Sequence, residues 1–318
     1  ATSVLDVGRR GRDLARAGVR LGRLVRSLGA EVVHANGVKA ALACALDPRL
    51  SRPPLVWVKH DFSWDGIVAA AVALRSRRVV AVSEAVAETF PGPLRRRVSV
   101  VHNGLPPIAA DRPCGRRLVL EALGAPESAP VVALVGRLDR DKGHEELLAA
   151  LPEVVRRRPG TRVAFIGADN PRRPEYVGGL REQLERDGLA DAVSFLGYRK
   201  DAVELMSGCD VVVVPSVVGE GGRGREGFGY VGLEAFAVGT PVVAYADGAL
   251  RETLGDCALL VPPGDREALG DAVVRVLEDD GLRSRLVECG RARLQGRFSL
   301  DEMVCRMKDE YRAAAKAH

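Results

Sequence analysis

Two cationic side chains follow a predicted strand in the middle of the chain. The apolar run Val131–Leu134 predicts a buried strand, and residues 136–144 lead from it into a predicted helix. Gly136 permits close approach of a ligand to the backbone, while Arg137 and Lys142 offer a planar fork and a point charge. With the N–H groups of a helix N-terminus, these groups suit a diphosphate; a capped turn with exposed charges is the alternative.

Two glutamates eight positions apart follow another predicted strand, at 211–215. Glu226 stands before a glycine pair, Gly227 and Gly229, that opens the predicted helix carrying Glu234. A carboxylate can accept hydrogen bonds from two vicinal hydroxyls of a hexose or a ribose. Two unrelated surface glutamates are the alternative, which the intervening glycines and the upstream cations disfavour.

The remaining sequence predicts the elements that position these residues. Apolar strand runs alternate with amphipathic helices, which indicates parallel sheets covered on both faces. The predicted fold class is α/β, with two doubly wound parallel-sheet domains facing a cleft, and ligands of such sheets bind at the carboxyl ends of the strands. We predict a first domain at 1–113, a second at 114–296 and a terminal helix at 297–318 that returns to the first domain.

Several strings in the chain resemble glycosyltransferase family 4, a large retaining family with the two-domain GT-B fold. The resemblance covers the chain from about Val32 onwards and is carried by Val135-Gly136-Arg137, Lys142-Gly143, the segment from Glu226 to Glu234-Ala235, Gly239-Thr240-Pro241-Val242-Val243-Ala244, Val82-Ser83-Glu84 and Asn103-Gly104. It implies a glycosyltransferase that uses a nucleotide-diphosphate sugar and keeps the anomeric configuration of the donor.

The resemblance also implies a role for each matching position. Arg137 and Lys142 neutralise the donor diphosphate, Glu226 holds the transferred sugar, and Glu234 binds the ribose. The other implied donor-site residues are Gly136, Gly227, Phe228, Gly229 and Tyr198, the last beside the nucleobase. His60, after a first-domain strand, faces the reacting centre, so the implied catalytic set is Glu226, His60, Arg137 and Lys142. No metal or other cofactor is expected, because the leaving phosphate assists deprotonation of the acceptor on the face from which it departs.

The sequence departs from the family at its beginning. The usual opening strand, glycine-rich loop and helix are not recognisable, so roughly two βα units, on the order of 60 residues, are expected to be missing from the first domain. Because these units help to bind the acceptor, the sequence leaves the acceptor open: a sugar, a lipid-linked molecule or another small molecule.

Composition constrains the class of protein and its partners. The 318 residues include 47% hydrophobic and 28% charged side chains, as in a globular protein, and carry a formal net charge of +5. The arginine-rich composition is typical of a GC-rich bacterial genome; an anionic partner is the functional alternative. A basic amphipathic helix predicted at Val7–Leu28 could contact an acidic membrane surface, and the aromatic content of 4% argues against a nucleic-acid partner. Because no apolar run reaches membrane-spanning length, a cytoplasmic protein is expected, peripheral contact with the inner membrane face being the alternative.

Three other patterns are interpreted as structural. The six cysteines lack CxxC spacing, so neither a zinc site nor a disulfide is predicted. Residues 219–224 match G-x-G-x-x-G but do not open a helix, so they are assigned to a loop over the donor site rather than to a dinucleotide. Asp139 and Asp141 mimic a metal-binding Asp-x-Asp but lie in a helix-capping turn.

Two rival hypotheses remain open from the sequence. The first is a protein that binds a nucleotide sugar without transferring the sugar. The second is a sugar-nucleotide epimerase of the same GT-B fold. Separate measurements of donor hydrolysis and of transfer distinguish the binding protein from the enzyme.

Overall fold

The computed structural model describes residues 11–46, 53–218 and 225–316. Contacts divide the chain into two compact units, residues 1–104 with 300–318 and residues 105–299. The division falls at Gly104, nine residues before the predicted boundary at 113, because Leu105 already bonds within the second unit: its backbone N–H donates to the carbonyl of Phe298 at 2.9 Å. Each unit is described separately below.

The first unit is built on a four-stranded parallel sheet with strands in sequence order. Its strands are β1 (Val33–Asn36), β2 (Leu55–Lys59), β3 (Arg78–Ala81) and β4 (Val98–Val100). Its helices in this part of the chain are α1 (Gly11–Ser27), α2 (Val38–Leu46), α3 (Ile67–Arg75), α4 (Glu84–Ala87) and α5 (Gly92–Arg95). All five side chains of β2 are buried, as expected for a strand covered on both faces.

The second unit contains a six-stranded parallel sheet in the order β10-β9-β8-β5-β6-β7. The strands are β5 (Val131–Val135), β6 (Arg162–Ile166), β7 (Val193–Gly197), β8 (Val211–Val214), β9 (Val242–Tyr245) and β10 (Leu259–Val261). The helices are α6 (Arg112–Leu123), α7 (His144–Arg157), α8 (Glu175–Arg186), α9 (Ala202–Ser207), α10 (Tyr230–Val238), α11 (Leu250–Leu254), α12 (Arg266–Glu278) and α13 (Asp280–Arg297). The predicted α/β class with two parallel sheets is confirmed.

Strand order in the second unit reverses beside β5. The chain proceeds from β5 outwards to β6 and β7, then returns to place β8 on the other side of β5. The chain leaves β5 towards β6 on one side of the sheet and leaves β8 towards β9 on the other side. A ligand crevice is expected between two such neighbouring strands, at the carboxyl ends of β5 and β8. Both motifs that the sequence analysis singled out follow these two strands.

The last helix, α14 (Leu300–Lys316), belongs to the first unit. Tyr311 Oη lies 2.6 Å from Nδ1 of His34, and Glu310 accepts a hydrogen bond from Nε of Arg78 at 2.7 Å. Val304 in the same helix is 37% exposed. The packed face is therefore carried by Tyr311, Glu310 and the buried Ala314.

The prediction that the cysteines form no disulfide is wrong for one pair. Cys257 and Cys289 are joined by a disulfide across 32 residues, with their Cα atoms 5.1 Å apart. Cys257 ends a 3-10 turn after α11, and Cys289 lies in α13. Local spacing could not reveal this pair because the two residues meet only when α13 packs against that turn.

Candidate active site

The loops after β5 and β8 are held against each other. The backbone N–H of Val217 donates to the carbonyl of Asp141 at 3.1 Å. Gly143 has φ +73°, and a Cβ there would lie 1.8 Å from the carbonyl oxygen of Pro215. Only glycine fits a positive φ with no room for a side chain, so Gly143 is what allows the two loops to touch.

This contact brings Lys142 and Glu226 together across 84 residues of sequence. Lys142 Nζ donates to Glu226 Oε1 at 2.6 Å, and Ser216 Oγ lies 3.4 Å from the same oxygen. The two side chains of the pair remain 26% and 18% exposed, so solvent and solutes can reach them. The site thus combines a cation with a fixed carboxylate at the switch point of the sheet.

The backbone of Glu226 is held in place by the loop after β9. Its carbonyl accepts a hydrogen bond from the N–H of Ala249 at 2.9 Å. Gly248 has φ +54° and approaches so closely that a Cβ would lie 2.5 Å from that carbonyl. The carboxylate therefore stands on a rigid support, as a residue that orients a ligand requires.

Arg137 and Asp139 form the outer part of the site. The Arg137 side chain is 52% exposed, and its Nη2 lies 3.0 Å from Oδ2 of Asp139. Asp139 caps the 3-10 turn Arg140–Lys142 by accepting from the N–H of Arg140 at 2.9 Å, and it also accepts from Asn170 Nδ2 at 2.6 Å. These bonds support the structural interpretation of Asp139 and leave the guanidinium of Arg137 available to an anion.

The glycine segment after Glu226 leads into α10. Gly229 has φ +84° and precedes the helix, and a Cβ there would lie 2.5 Å from Leu250 Cδ2. Gly227 is buried, like Phe228, whose ring packs edge-on against Tyr230 and Phe298 at 5.2 and 5.8 Å between centroids. The side chain of Phe228, predicted at the donor, therefore lies in the packed interior, while the first N–H groups of α10 have no intrahelical partners.

Glu234 is the fifth residue of α10, which begins directly after the glycine segment. Burial raises the pKa of its carboxyl group. A partly buried carboxylate gains most from a ligand that donates hydrogen bonds to it, because such bonds replace lost hydration. Hydroxyl groups on a bound ligand meet this requirement.

Two further predicted residues are Tyr198 in the second unit and His60 in the first. Tyr198 follows the edge strand β7, which β6 separates from β5, and is 71% exposed. His60 belongs to the first unit, at the carboxyl end of β2. Its Nε2 is hydrogen-bonded to Oδ1 of Asn36, the last residue of β1, and burial lowers its pKa, opposed by Asp61 and aided by His34.

Sequence reasoning missed the partners that hold these residues. Asn36 beside His60 and Ser216 beside Glu226 were not singled out, nor was Asp247, whose Oδ1 lies 3.6 Å from Nε of Arg225. The available signal was their position, since Asn36 ends a strand and the other two each stand two residues after one. Only the strand order tells which strand ends are neighbours.

Two family models match the chain. "Glycosyl transferases group 1" matches residues 115–293, and "Glycosyltransferase Family 4" matches residues 3–107. The chain belongs to the family 4 glycosyltransferases. The expected family membership is therefore confirmed, and both matched ranges agree with the two units.

The chain covers different shares of the lengths of its named relatives. The chain is 34% identical over 311 residues to the 2-deoxystreptamine N-acetyl-D-glucosaminyltransferase of Streptomyces fradiae, covering 89% of this chain and 70% of that protein. It is 35% identical to the D-inositol 3-phosphate glycosyltransferase of Corynebacterium urealyticum over 60% of this chain, and this match spans only 45% of that relative.

A solved structure shares the fold. HepE of Anabaena in complex with UDP and glucose superposes with a TM-score of 0.83 at 26% identity, over 96% of this family 4 chain and 83% of HepE. Among the helices within the described ranges, none is both long and apolar enough to cross a bilayer. Residues 219–224, the predicted loop with the G-x-G-x-x-G pattern, lie outside the described residues.

Proposed function

We propose that this family 4 member transfers a sugar from a nucleoside-diphosphate sugar to an acceptor, with retention of the anomeric configuration and without a metal. The observation that carries the proposal is the Lys142–Glu226 pair at the sheet's switch point, 2.6 Å apart and open to solvent. A diphosphate needs the cation, and a sugar needs a fixed carboxylate for its hydroxyls. One site supplies both.

The donor is proposed to be a UDP-sugar. HepE, at 26% identity, is described in complex with UDP and glucose, and another structure of it holds UDP-glucose. The Streptomyces relative is named for transfer of N-acetyl-D-glucosamine. We therefore infer a uridine diphosphate carrying a hexose or an N-acetylhexosamine, with Glu234 on the ribose and Tyr198 beside the base.

The acceptor is proposed to be a small hydroxylated carbocycle. The names of the two relatives above specify 2-deoxystreptamine and D-inositol 3-phosphate as acceptors. Both are six-membered carbon rings with polar groups around the rim. An acceptor of this kind offers a hydroxyl to the donor and two ring faces to the protein.

The chemistry requires departure of the nucleoside diphosphate and attack by the acceptor oxygen. Arg137 and Lys142 stabilise the charge that grows on the departing phosphate, the step that such cations favour most. Glu226 holds hydroxyls of the transferred sugar, and these bonds strengthen as positive charge develops at the anomeric carbon. The departing phosphate accepts the acceptor's proton on the same face, so the new bond forms with retention.

A nucleotide-sugar panel tests the donor assignment first. UDP, UDP-glucose and UDP-N-acetylglucosamine are expected to raise the melting temperature more than the GDP-linked counterparts, because ligand binding to the folded state stabilises it. Transfer to 2-deoxystreptamine and donor hydrolysis are then measured separately, and NMR of the first-formed product gives its anomeric configuration. An inverted product contradicts retention, and donor binding without hydrolysis or transfer identifies a binding protein.

The two glutamates provide a matched pair of variants. Glu226→Gln weakens bonds that strengthen in the transition state, so kcat is expected to fall roughly tenfold or more with little change in donor KM. Glu234→Gln removes a bond to the ribose made equally in ground and transition states, so donor KM is expected to rise instead. Identical effects of both substitutions contradict the division of roles.

Helix α1 supports contact with an anionic surface as a second, separate proposal. Its arginines Arg16, Arg20, Arg23 and Arg26 are exposed at helical spacing. Such a row is attracted to acidic lipids by roughly 1 kcal/mol per residue. Sedimentation with phosphatidylglycerol vesicles at low salt, compared with phosphatidylcholine vesicles, tests this proposal; equal binding to both contradicts it.

A further inference from the structure

The first unit contains a buried lysine at the end of β2. The Lys59 side chain is 1% exposed, and its Nζ donates to the carbonyl of Ser63 at 2.8 Å and pairs with Oδ1 of Asp65 at 2.8 Å. A buried ammonium is costly unless it is fully paired. Both partners come from residues 60–66, here named the Lys59 loop, so this loop folds back over the lysine that precedes it.

Trp64 lies between the two residues that bind Lys59. Its φ is +58°, the left-handed region that a bulky side chain rarely adopts, and no other non-glycine residue among those described has a positive φ. Such a conformation persists only where the surroundings over-determine it, and it concentrates at ligand-binding positions. Here the Lys59 bonds on both sides enforce it, together with Asp61 Oδ1, which accepts from Ser63 N at 3.0 Å and from Ser63 Oγ at 2.6 Å.

The enforced loop displays an indole ring to solvent. Trp64 is 47% exposed, whereas Trp57, the chain's other tryptophan, is fully buried in β2. Ile67, which follows the loop, is 88% exposed. The exposure of Trp64 differs from that of an isolated apolar side chain on the surface. Its backbone is held in a strained conformation, so the protein maintains this exposed ring at a cost in conformational energy.

The loop starts at His60, the candidate reactive residue of the first unit. The imidazole is fixed by Asn36 at the same edge of the sheet, and Trp64 follows four positions later in a loop closed on the adjacent Lys59. The carboxylates of Asp61 and Asp65 lie on either side of the indole in sequence. Both carboxylates are used within the loop, Asp61 by Ser63 and Asp65 by Lys59, so the feature that the loop offers to a ligand is the exposed indole.

We propose that Trp64 is the platform for the acceptor's ring and that the Lys59 loop holds it in position. The proposal rests on the proposed function and names the element of the first unit that would bind the acceptor. A hydroxylated carbocycle has C–H groups on its faces, which match the flat apolar face of the indole. Stacking of a ring on an aromatic side chain buries apolar area while the rim remains hydrogen-bonded.

Kinetics of Trp64→Gly provide the first test. Glycine adopts φ +58° without strain, so this variant removes the indole while the loop conformation is retained. With UDP-N-acetylglucosamine as donor and 2-deoxystreptamine or D-inositol 3-phosphate as acceptor, the acceptor KM is expected to rise roughly tenfold or more. The donor KM is expected to stay within about twofold, because the donor's contacts lie in the second unit. Trp64→Phe is expected to recover part of the acceptor affinity.

A matched control removes an exposed apolar side chain elsewhere on the same unit. Leu74 in α3 is 63% exposed and lies outside the Lys59 loop, so Leu74→Ala is expected to leave both KM values unchanged. If Trp64→Gly behaves like Leu74→Ala, the indole does not contact the acceptor and the proposal is overturned. The exposed side chains of Trp64 and Ile67 would then be assigned to contact with a macromolecular partner.

Fluorescence gives a readout that needs no turnover. Because Trp57 is buried, quenching by acrylamide reports mainly on Trp64. In the presence of UDP, 2-deoxystreptamine is expected to reduce the quenching constant of the wild-type protein and to have no effect on Trp64→Phe, which retains only Trp57. An unchanged wild-type quenching constant at saturating acceptor contradicts the proposal.

The outcomes separate this inference from the proposed function. If UDP-sugars are neither bound nor turned over, the proposed function itself is contradicted. If they are turned over but neither ring compound is glycosylated or protects Trp64, the acceptor class and this platform are wrong while the donor assignment stands. If the ring compounds are glycosylated with equal KM by wild type and Trp64→Gly, only the platform is wrong.

Discussion

Each unit holds a lysine–carboxylate pair at the carboxyl edge of its sheet, and the two pairs differ in burial and in span. Lys59 and Asp65 are six residues apart, 2.8 Å from N to O, with the lysine 1% exposed. Lys142 and Glu226 are 84 residues apart, 2.6 Å from N to O, and both are partly exposed. The buried local pair shapes its own loop, whereas the open long-range pair joins two loops and can exchange its bonds for a ligand's.

A lysine–carboxylate pair therefore serves a different purpose in each unit. The solvent accessibility of the lysine decides which purpose it serves. An anion can reach the ammonium of Lys142 but not that of Lys59. Conversely, loss of Lys59 leaves the Asp65 carboxylate without its partner, while Glu226 keeps the hydroxyl of Ser216. Substitution at Lys142 should affect the reaction, and substitution at Lys59 should affect structure and acceptor binding.

The largest effect is expected from removal of the donor-site cations. Lys142→Ala and Arg137→Ala are each expected to lower the transfer rate by roughly 100-fold or more, since each removes a charge-assisted contact to the leaving phosphate. Melting temperatures should change little, because the two side chains are 26% and 52% exposed. Steady-state kinetics at saturating acceptor measure the loss; near-normal turnover in both variants would refute the site.

The pH dependence of stability provides a second way to distinguish the two units. The loop after β5 ends at His144, which is fully buried against Phe165, and burial lowers its pKa from 6.5 to about 4. The unfolded chain binds a proton here near pH 6.5 and the folded chain does not, so this contribution to stability is complete above 6.5 and is lost as the pH falls towards 4. The free energy of unfolding is expected to drop by about 2 kcal/mol between pH 8 and pH 5 from this residue.

Denaturant unfolding of wild type and His144→Phe at both pH values isolates that contribution. The variant is expected to lose less stability on acidification, whatever its stability at pH 8. A matched substitution at His60, where burial and Asp61 act in opposite directions on the pKa, is expected to change the pH dependence less. If the free energy of unfolding depends equally on pH in wild type and in His144→Phe, His144 is not the source of the acid sensitivity.

A smaller effect is expected at the buried pair of the first unit. Lys59→Met keeps the length of the side chain but leaves Asp65 unpaired, and because Asp65 is 34% exposed the cost is expected to be about 1 to 2 kcal/mol. Calorimetry should show a melting temperature lower by a few degrees. The acceptor KM should rise while the donor KM is unchanged; a rise in donor KM of similar size would mean that the two pairs are not functionally separate.

The sequence predicted the second unit more fully than the first. The apolar runs at 131–134 and 211–215 predicted the positions of β5 and β8, and Gly229 was predicted to open α10, where it has φ +84°. The 9-residue helix α3 was not predicted, because its uninterrupted apolar residues show no helical periodicity. The bond between Lys142 and Glu226 was also not predicted, since its formation depends on strand order.

Three features of the molecule depend on tertiary packing that no local pattern reports. The burial of Phe228 follows from the approach of Phe298, 70 residues later. The partner of His60 is Asn36 on a neighbouring strand, and the disulfide partner of Cys257 lies on α13. In each case the residue type was consistent with several roles, and only the three-dimensional neighbour selects one.

The smallest expected effect is that of a chelator, which should change the transfer rate by less than about twofold. The spacing of Asp139 and Asp141 matches a metal-binding Asp-x-Asp, but Asp139 already accepts bonds from Asn170, Arg137 and the N–H of Arg140. A metal ion would have to displace those donors.

The pKa of Asp141 is raised, mainly by burial, and burial disfavours the ionised form that a metal needs. The diphosphate charge is instead proposed to be neutralised by Arg137, Lys142 and the N–H groups at the start of α10. Turnover with EDTA, compared with turnover after added Mg²⁺ or Mn²⁺, measures the effect. Two results together would contradict this expectation: activity that EDTA abolishes and Mg²⁺ restores, and loss of that Mg²⁺ dependence in Asp139→Asn. They would assign the role of the Lys142–Glu226 pair to a metal centre.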